Sequence, residues 1–390
     1  MADNKDKKVL NVPALRFPEF TEEWKRIKVS DLLDFYSTNS LSWEQLEYES
    51  NEPYNLHYGL IHVGLPTIID LTKDKLPSIK DGNVPKKYEL CKEGDIAFAD
   101  ASEDTNEVAK VVEFYNLDGK KVVCGLHTIH GRNNNGQTAK GFLGYCFSST
   151  VFHNQIRRIA QGTKIYSINT RNFSEVFVGL PSMNEQQKIA TLLRLMDERI
   201  ATQNKIIEKL ETLIKGIIET VISLQKPNTF IKDCLEYNSS ILQESQVAEY
   251  GASPVYGATG ITGYTEAADV NGESILIIKD GSGVGTVKYV TGEYSYIGTL
   301  NRLIAKDGYY LKYIYFALQG FSFEPYKTGM AIPHIYFKDY GKAKIFCPTI
   351  EKQSAIAQKL SSTEDKVSVE KQILFYYQVQ KSYLLSQMLI

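Results

Sequence analysis

The residues that could carry chemistry are few, and they do not converge. Gly281 to Lys288 reads GSGVGTVK, glycine-rich enough to bring backbone amides against a ligand. It lacks the GK[ST] ending that a nucleotide-binding loop requires. His127 and His130 stand three apart in a strand-like run; taken to lack cysteine partners, they are read as ordinary satisfied histidines and not as metal ligands. There is no G-x-S-x-G elbow and no Asn-Pro-Pro-Tyr or Asp-Pro-Pro-Tyr tetrapeptide of the kind used to methylate a base amino group. Carboxylates are scattered without a nuclease-like cluster. The expectation is a chain with no catalytic residue and no metal of its own.

What the side chains do offer is binding chemistry. The net charge is only −2, but its distribution is uneven. Residues 119 to 174 hold Lys120, Lys121, Arg132, Lys140, Arg157, Arg158, Lys164 and Arg171 without one Asp or Glu, whereas residues 21 to 118 hold ten basic and twenty acidic side chains. The asymmetry recurs: 228 to 293 has three basic against nine acidic residues, and 294 to 346 has seven against three. Two basic half-segments suit neutralisation of phosphates; the competing account is a solvated basic face. Tyr166, Tyr296, Tyr326 and Tyr336 fall in the basic halves and could add polar aromatic contacts.

Two long helices must position these segments. In the stretch Pro181 to Leu224, one heptad position takes Leu193, Ile200, Ile207, Ile214 and Val221. The other takes Ile189, Met196, Gln203, Leu210, Ile217 and Leu224, so ten of eleven seam residues are apolar. That is a coiled-coil seam. At about 1.5 Å per residue, Glu185 to Gln225 would make a rod of roughly 60 Å. A copy follows 167 residues later: Pro181, Gln186, Ile189, Ala190, Leu193, Asp197, Ile200 and Ile206 match Pro348, Gln353, Ile356, Ala357, Leu360, Glu364, Val367 and Ile373. The second seam runs through Leu360, Val367, Leu374, Tyr377, Leu384 and Met388, with Thr363, Glu370 and Lys381 as polar breaks. Because a globular segment separates the helices, the simplest path runs out along one and back along the other. Gln203 and Glu370 would then meet and fix register; two solvated breaks in an imperfect stripe are the plainer account. The pairing set is Met196, Ile200, Gln203, Ile207, Leu210, Val367, Glu370 and Leu374.

The globular segments are also duplicated. The short helix Lys28 to Phe35 has a counterpart in Phe230 to Tyr237. Gly94 to Ala99 reads as a turn into a buried strand ending at Asp100-Ala101-Ser102, and Gly272 to Ile278 does the same ahead of Asp280-Gly281-Ser282-Gly283. Val108 to Tyr115, Val122 to Ile129, Val284 to Val290 and Ser295 to Ile304 continue as strands, and Phe142 to Ile159 and Tyr309 to Gln319 as helices. Residues 37 to 90 read as loops and brief strands. Each segment closes through a matched block, Gln161 to Asn169 and Thr328 to Tyr336. A short strand and a helix-starting proline follow. The divisions are 1–20, an N-terminal lead; 21–180; 181–226; 227–347; and 348–390. Leu15 to Phe20, followed by Trp24, are expected to pack on the first domain. Five cysteines without a CxxC pair fit free thiols in a reducing compartment. With a polar, lysine-rich N-terminus and no apolar run near the roughly 20 residues of a membrane span, the chain is expected to be soluble and cytoplasmic.

Taken together, these residues resemble a specificity subunit of a type I restriction-modification enzyme. The resemblance is carried by Gln161-Gly162-Thr163 through Pro181, Gln186, Ile189 and Ala190, by Gly329 through Pro348, Gln353, Ile356 and Ala357, by Asp280 to Thr286, and by Gly298-Thr299-Leu300-Asn301. The first segment departs from the pattern, with Ala101-Ser102-Glu103-Asp104 in place of the glycine-rich loop and about 40 extra residues upstream. The resemblance implies an α+β chain: two α/β target recognition domains joined by two long antiparallel coiled-coil helices in a pseudo-two-fold arrangement. Each domain would read one half of a split, asymmetric DNA site, with the helices as a ruler. The roughly 60 Å rod is commensurate with about 18 base pairs at 3.4 Å each. Implied partners are double-stranded DNA, two adenine methyltransferase (M) subunits and two motor-nuclease (R) subunits. S-adenosylmethionine, ATP and Mg would belong to those partners.

On that reading, phosphate contacts fall to Lys164, Arg171, Arg157 or Lys327, and base-edge contacts to Arg132, Asn133, Gln161, Tyr166, Arg302 or His334. Ser102, Thr163, Asn169, Ser282, Thr328, Tyr336 and Lys338 complete the candidate set. Arg157 and Arg158 could equally form internal ion pairs. A coiled-coil adaptor with two protein-binding ends would account for the helices but not for the basic halves. A self-sufficient DNA-modifying enzyme would need the motifs that are missing.

Overall fold

The computed structural model describes residues 11–48 and 52–390; the first ten residues of the expected lead lie outside them. The chain divides into two compact units, Met1–Thr202 with Leu374–Ile390, and Gln203–Ile373.

In the first unit, a five-stranded sheet is ordered Asp34–Tyr36, Thr128–Arg132, Ile96–Ala99, Val111–Asn116, Ile68–Asp70, antiparallel except for the last pair. Side chains alternate across a strand. Ile96 and Phe98 therefore face a core with Phe147, Phe152 and Phe173, while Ala97 and Ala99 face another with Leu56, Ile69, Phe114 and Cys124. The strand is apolar throughout because both faces are covered. Helices Phe142–Phe147 and Thr150–Ile159 build the first cover. The single helix expected over Phe142 to Ile159 is broken because Ser149 adopts extended backbone and its hydroxyl accepts the Phe152 N–H, a new N-cap. A second sheet, ordered Val122–Cys124, Tyr54–Leu56, Ser78–Ile79, Leu46–Glu47, comes largely from the upstream residues read as brief strands.

The strand expected over Val122 to Ile129 is in fact two. His127 takes a positive φ of 54°, and the chain crosses from one sheet to the other. Ser295 to Ile304 is likewise split into Glu293–Tyr296 and Leu300–Ala305. The short helices shrink to one turn, Val29–Leu32 and Ile231–Cys234, each leading directly into a strand. The lead packs on the long helices as well as on the first domain: Trp24 is buried beside Phe142, but Arg16 holds Glu185 of the central helix through two hydrogen bonds of 2.7 Å, and the Leu15 N–H donates to the Gln387 carbonyl of the C-terminal helix.

In the second unit, the sheet Leu235–Ser239, Leu300–Ala305, Ser274–Ile278, Val287–Val290 is antiparallel throughout. Helix Leu311–Gln319 packs on it with seven buried residues. A smaller sheet is ordered Gly260–Thr265, Ser253–Gly257, Glu293–Tyr296, Val270–Asn271.

The central helix, Met183–Ile217, continues as a π-helix over Ile218–Ser223, and the C-terminal helix spans Ile350–Met388. They run antiparallel within each unit. In the first, Asp197 pairs with Lys381 and the Arg199 guanidinium lies 5.7 Å from the Tyr377 ring centre. In the second, Gln203 meets Glu370. Leu193, Met196, Gln203, Ile207, Leu360 and Val367 are buried, and Ile200, Leu210, Glu370 and Leu374 half-buried. The seam differs from expectation at its end. A π-turn takes in an extra residue, so Ile218 and Ile222 are buried while Val221 and Leu224 face outward. Among the described residues no helix is long and apolar enough to cross a membrane.

Candidate nucleic-acid interface

The same small hairpin is built twice. In the first unit, Gln161 and Ser167 exchange backbone hydrogen bonds of 3.0 and 2.8 Å; in the second, Thr328 and His334 do so at 2.9 and 2.8 Å. Gly162 and Gly329, one repeat apart, hold positive φ of 135° and 88°. A Cβ would lie 1.9 Å from the Ile165 carbonyl oxygen at the first and 2.3 Å from that of Ile332 at the second, so only glycine fits either position.

Each hairpin lies against the loop ending the central buried strand of its own sheet. Tyr166–Ser167 pairs antiparallel with Ala101–Ser102, and Asp100 accepts the Ile168 N–H at 2.9 Å. In the second unit Asp280 bridges His334, and Pro333 accepts the Gly281 N–H at 2.9 Å. Two segments separated by about half a domain in sequence thus form one projecting feature in each unit. Gln161, Thr163, Lys164 and Ile165 are exposed on the first, and Thr328, Met330, Ala331 and Ile332 on the second. The exposure of the apolar tips carries no signal in the sequence, where Ile165, Met330 and Ile332 are ordinary members of the repeat.

Around the first hairpin, Asn169 caps the helix Thr170–Glu175 by accepting the Asn172 N–H, which leaves Arg171 exposed on its first turn. Among the described residues neither Lys164 nor Arg171 has an ion-pair partner. Ser102 is half-buried, its hydroxyl accepting from the Asp104 N–H. Arg157 is exposed and donates to Asn106 at 2.5 Å and to Asn154. Around the second hairpin, Ser282, Tyr336 and Lys338 are exposed, with the Lys338 ammonium 5.1 Å from the Tyr336 ring centre. Tyr166 and His334 are half-buried beside their loops. Lys327 is paired to Glu324. Arg302 lies mid-sheet opposite Leu276, donating to the Ser274 hydroxyl at 2.6 Å.

One sequence-based assignment is corrected. Arg132 is 5% exposed and spends its guanidinium internally: Nε and Nη2 go to the two Asp95 carboxylate oxygens at 2.8 Å, Nη1 to Glu89 at 2.7 Å and Nη2 also to the Leu90 carbonyl. Four of its five N–H donors are taken and the side chain is buried, which withdraws it from a base edge. Burial opposes ionisation of Asp95, but hydrogen bonds from His130 and Arg132 outweigh it and hold its carboxyl below the usual range. Asn133 is half-buried, donating to the Leu32 carbonyl at 2.9 Å and accepting from the Gln137 N–H at 3.3 Å.

The acid-free run is also less basic in space than in sequence. Arg132, Lys140, Lys120 and Lys121 pair with Glu89, Glu93, Asp118 and Glu52 from the acidic first half. The uncompensated charge concentrates on Arg157, Arg158, Lys164 and Arg171. His130, read as an ordinary histidine without cysteine partners, lies beside Cys91 and Cys124. His127 is exposed and bonded to Asp100 at 3.1 Å.

A family profile described as the type I restriction modification DNA specificity domain matches residues 114–212 and 227–375, more than half of the chain. A curated relative named as the putative type I restriction enzyme MjaX specificity subunit of Methanocaldococcus jannaschii is 22% identical, covering 90% of this chain and 89% of its own length. Among solved structures, the S subunit of a type I restriction-modification system from M. genitalium is similar with a TM-score of 0.65 and 18% identity, over 97% of this chain and 99% of that one. A structure described for complex assembly and conformational transition of the type I R-M system matches with a TM-score of 0.55 and 14% identity, over 94% and 97%. These likenesses cover both hairpin-bearing units and both long helices, and the chain belongs to the type I restriction modification DNA specificity domain family.

Proposed function

We propose that this chain is the DNA sequence-specificity subunit of a type I restriction-modification complex, non-catalytic itself, with each unit reading one half of a bipartite asymmetric site. The observation that carries the reading is the duplicated hairpin: two glycine-pinned loops, 167 residues apart, each set on the strand-end loop of its sheet. Their frames agree, Ile165 matching Ile332, while the two exposed residues before it differ, Thr163-Lys164 against Met330-Ala331. A constant frame with variable tips suits two readers of different half-sites. Lys164, Arg171 and Arg157 would neutralise phosphates, while Gln161, Thr163 and Tyr166 in the first unit and Ser282, Thr328, His334, Tyr336 and Lys338 in the second would lie against bases and backbone. Two methyltransferase subunits and two motor-nuclease subunits would supply adenine methylation and cleavage, and would hold S-adenosylmethionine, ATP and Mg.

The test is duplex binding by this chain assembled with its methyltransferase subunit, across a salt series. Binding to duplex carrying the cognate motif should exceed binding to scrambled duplex by roughly 1,000-fold or more. Equal affinity for both would refute the specificity role.

A further inference from the structure

Cys91, Cys124 and His130 come from three places in the first unit. Cys124 closes the strand Val122–Cys124 of the smaller sheet, and Cys91 is tied to that strand because its N–H donates to the Val122 carbonyl at 2.8 Å. His130 lies in the middle of Thr128–Arg132 in the larger sheet. One ligand atom from each lies within 4.8 Å of the other two, and the two sulfurs are 3.5 Å apart. All three residues are buried, His130 completely.

The imidazole has one nitrogen engaged and one free. Its Nε2 meets the Asp95 carboxylate at 2.7 Å, and Asp95 is itself fixed by Arg132 and by the Lys92 N–H. A proton on Nε2 donated to Asp95 leaves a lone pair on Nδ1, and Nδ1 is buried without any hydrogen-bond partner. A carboxylate behind the distal nitrogen is the usual outer support of a metal-bound histidine. The other buried cysteine pair, Cys234 and Cys347 in the second unit, has no such imidazole, and among the described residues only the first set groups three ligands.

We propose that Cys91, Cys124 and His130 bind a zinc ion that pins the smaller sheet to the larger one. Two thiolates and one imidazole select a thiophilic cation over magnesium or calcium, and two thiolates balance the charge of a divalent ion in a buried setting. On binding, both thiols release their protons to solvent and the two sulfurs and Nδ1 donate electron pairs to the metal; no oxidation is involved. Three protein ligands leave one tetrahedral position for a water or small thiol. Because the ligands span two sheets, the ion would act as a structural cross-link within the first unit and would take no part in reading DNA.

The experiment uses the full chain purified under reducing conditions. Metal analysis and titration with zinc alone should find about one ion per chain, absent from Cys91→Ala and His130→Ala and retained in Cys234→Ala. Cobalt substituted for zinc should give a sulfur-to-metal charge-transfer band, and chelation should lower the unfolding temperature. Should a variant fail to fold, the wild-type cobalt spectrum decides. Absence of that band, metal content unchanged in both Cys91→Ala and His130→Ala, or a Cys91–Cys124 disulfide that takes up no zinc after reduction would each overturn the proposal.

Discussion

The Gln203 side-chain amide donates to the Glu370 backbone carbonyl at 3.1 Å and also to the Glu370 carboxylate, so the polar residues of two imperfect heptad stripes are each other's partners. Gln203 is buried where its neighbours in the seam are apolar. A buried polar pair costs stability relative to leucines but penalises every slipped register, in which each group would face hydrocarbon.

A double-mutant cycle on this pair should show strong coupling. Gln203→Leu and Glu370→Leu alone should each destabilise the chain by about 1–3 kcal/mol, because each leaves a partner unpaired. The double variant should be more stable than either single one. Additive losses in thermal unfolding would remove the register role.

Arg132 should behave as a structural cation. Arg132→Ala leaves Asp95 buried without its main counter-charge, and the loss should be about 3–5 kcal/mol, read by denaturant unfolding. Sequence preference among half-sites should not change in whatever fraction folds. A relaxed base preference with unchanged stability would restore the base-edge assignment made from sequence.

Glu113 supplies a pH signature. It is buried in the five-stranded sheet and accepts the N–H groups of Gly144, at 2.7 Å, and Gly141. Burial pushes its carboxyl up to about 7, against the pull of those two N–H donors and of Lys140. A raised folded-state value means that its contribution is fully present below the unfolded value and lost as pH rises through the folded one. Stability of the native chain should therefore fall between pH about 4.5 and 7 relative to Glu113→Gln, by about 3 kcal/mol in total. Parallel stability curves for the two proteins across that window would contradict the assignment.

The hairpin residues should separate by role. Lys164→Ala and Arg171→Ala should weaken binding about equally on all duplexes, and each should lower the salt slope by about 0.9 for every phosphate it had neutralised. Gln161→Ala should cost about 1–3 kcal/mol on the cognate duplex only. An unchanged salt slope in Lys164→Ala would move the phosphate-binding role to another residue.

The legible part of this architecture is what repeats. The heptad stripes and the blocks around Gly162 and Gly329 are local patterns, and local patterns survive in a linear text. Pairings between distant strands do not. Asp95 claims Arg132 from 37 positions away, and Glu93 claims Lys140 from 47, so a run free of acids in sequence is partly neutralised in space. The Cys91, Cys124 and His130 grouping is hidden for a similar reason: Cys124 stands only six residues before His130 but on another sheet, and Cys91 reaches both only through the fold. The π-turn at Ile218–Ser223 shifts the seam by one residue, which a strict seven-residue count cannot register.

The most direct test of two independent readers is single-molecule sequencing of N6-methyladenine in DNA from cells expressing this chain with its methyltransferase. Methylation should fall at one bipartite asymmetric motif, and exchanging residues 228–346 for those of a relative should alter one half-site and leave the other intact. Methylation that does not depend on this chain, or a motif unchanged by the exchange, would contradict the account.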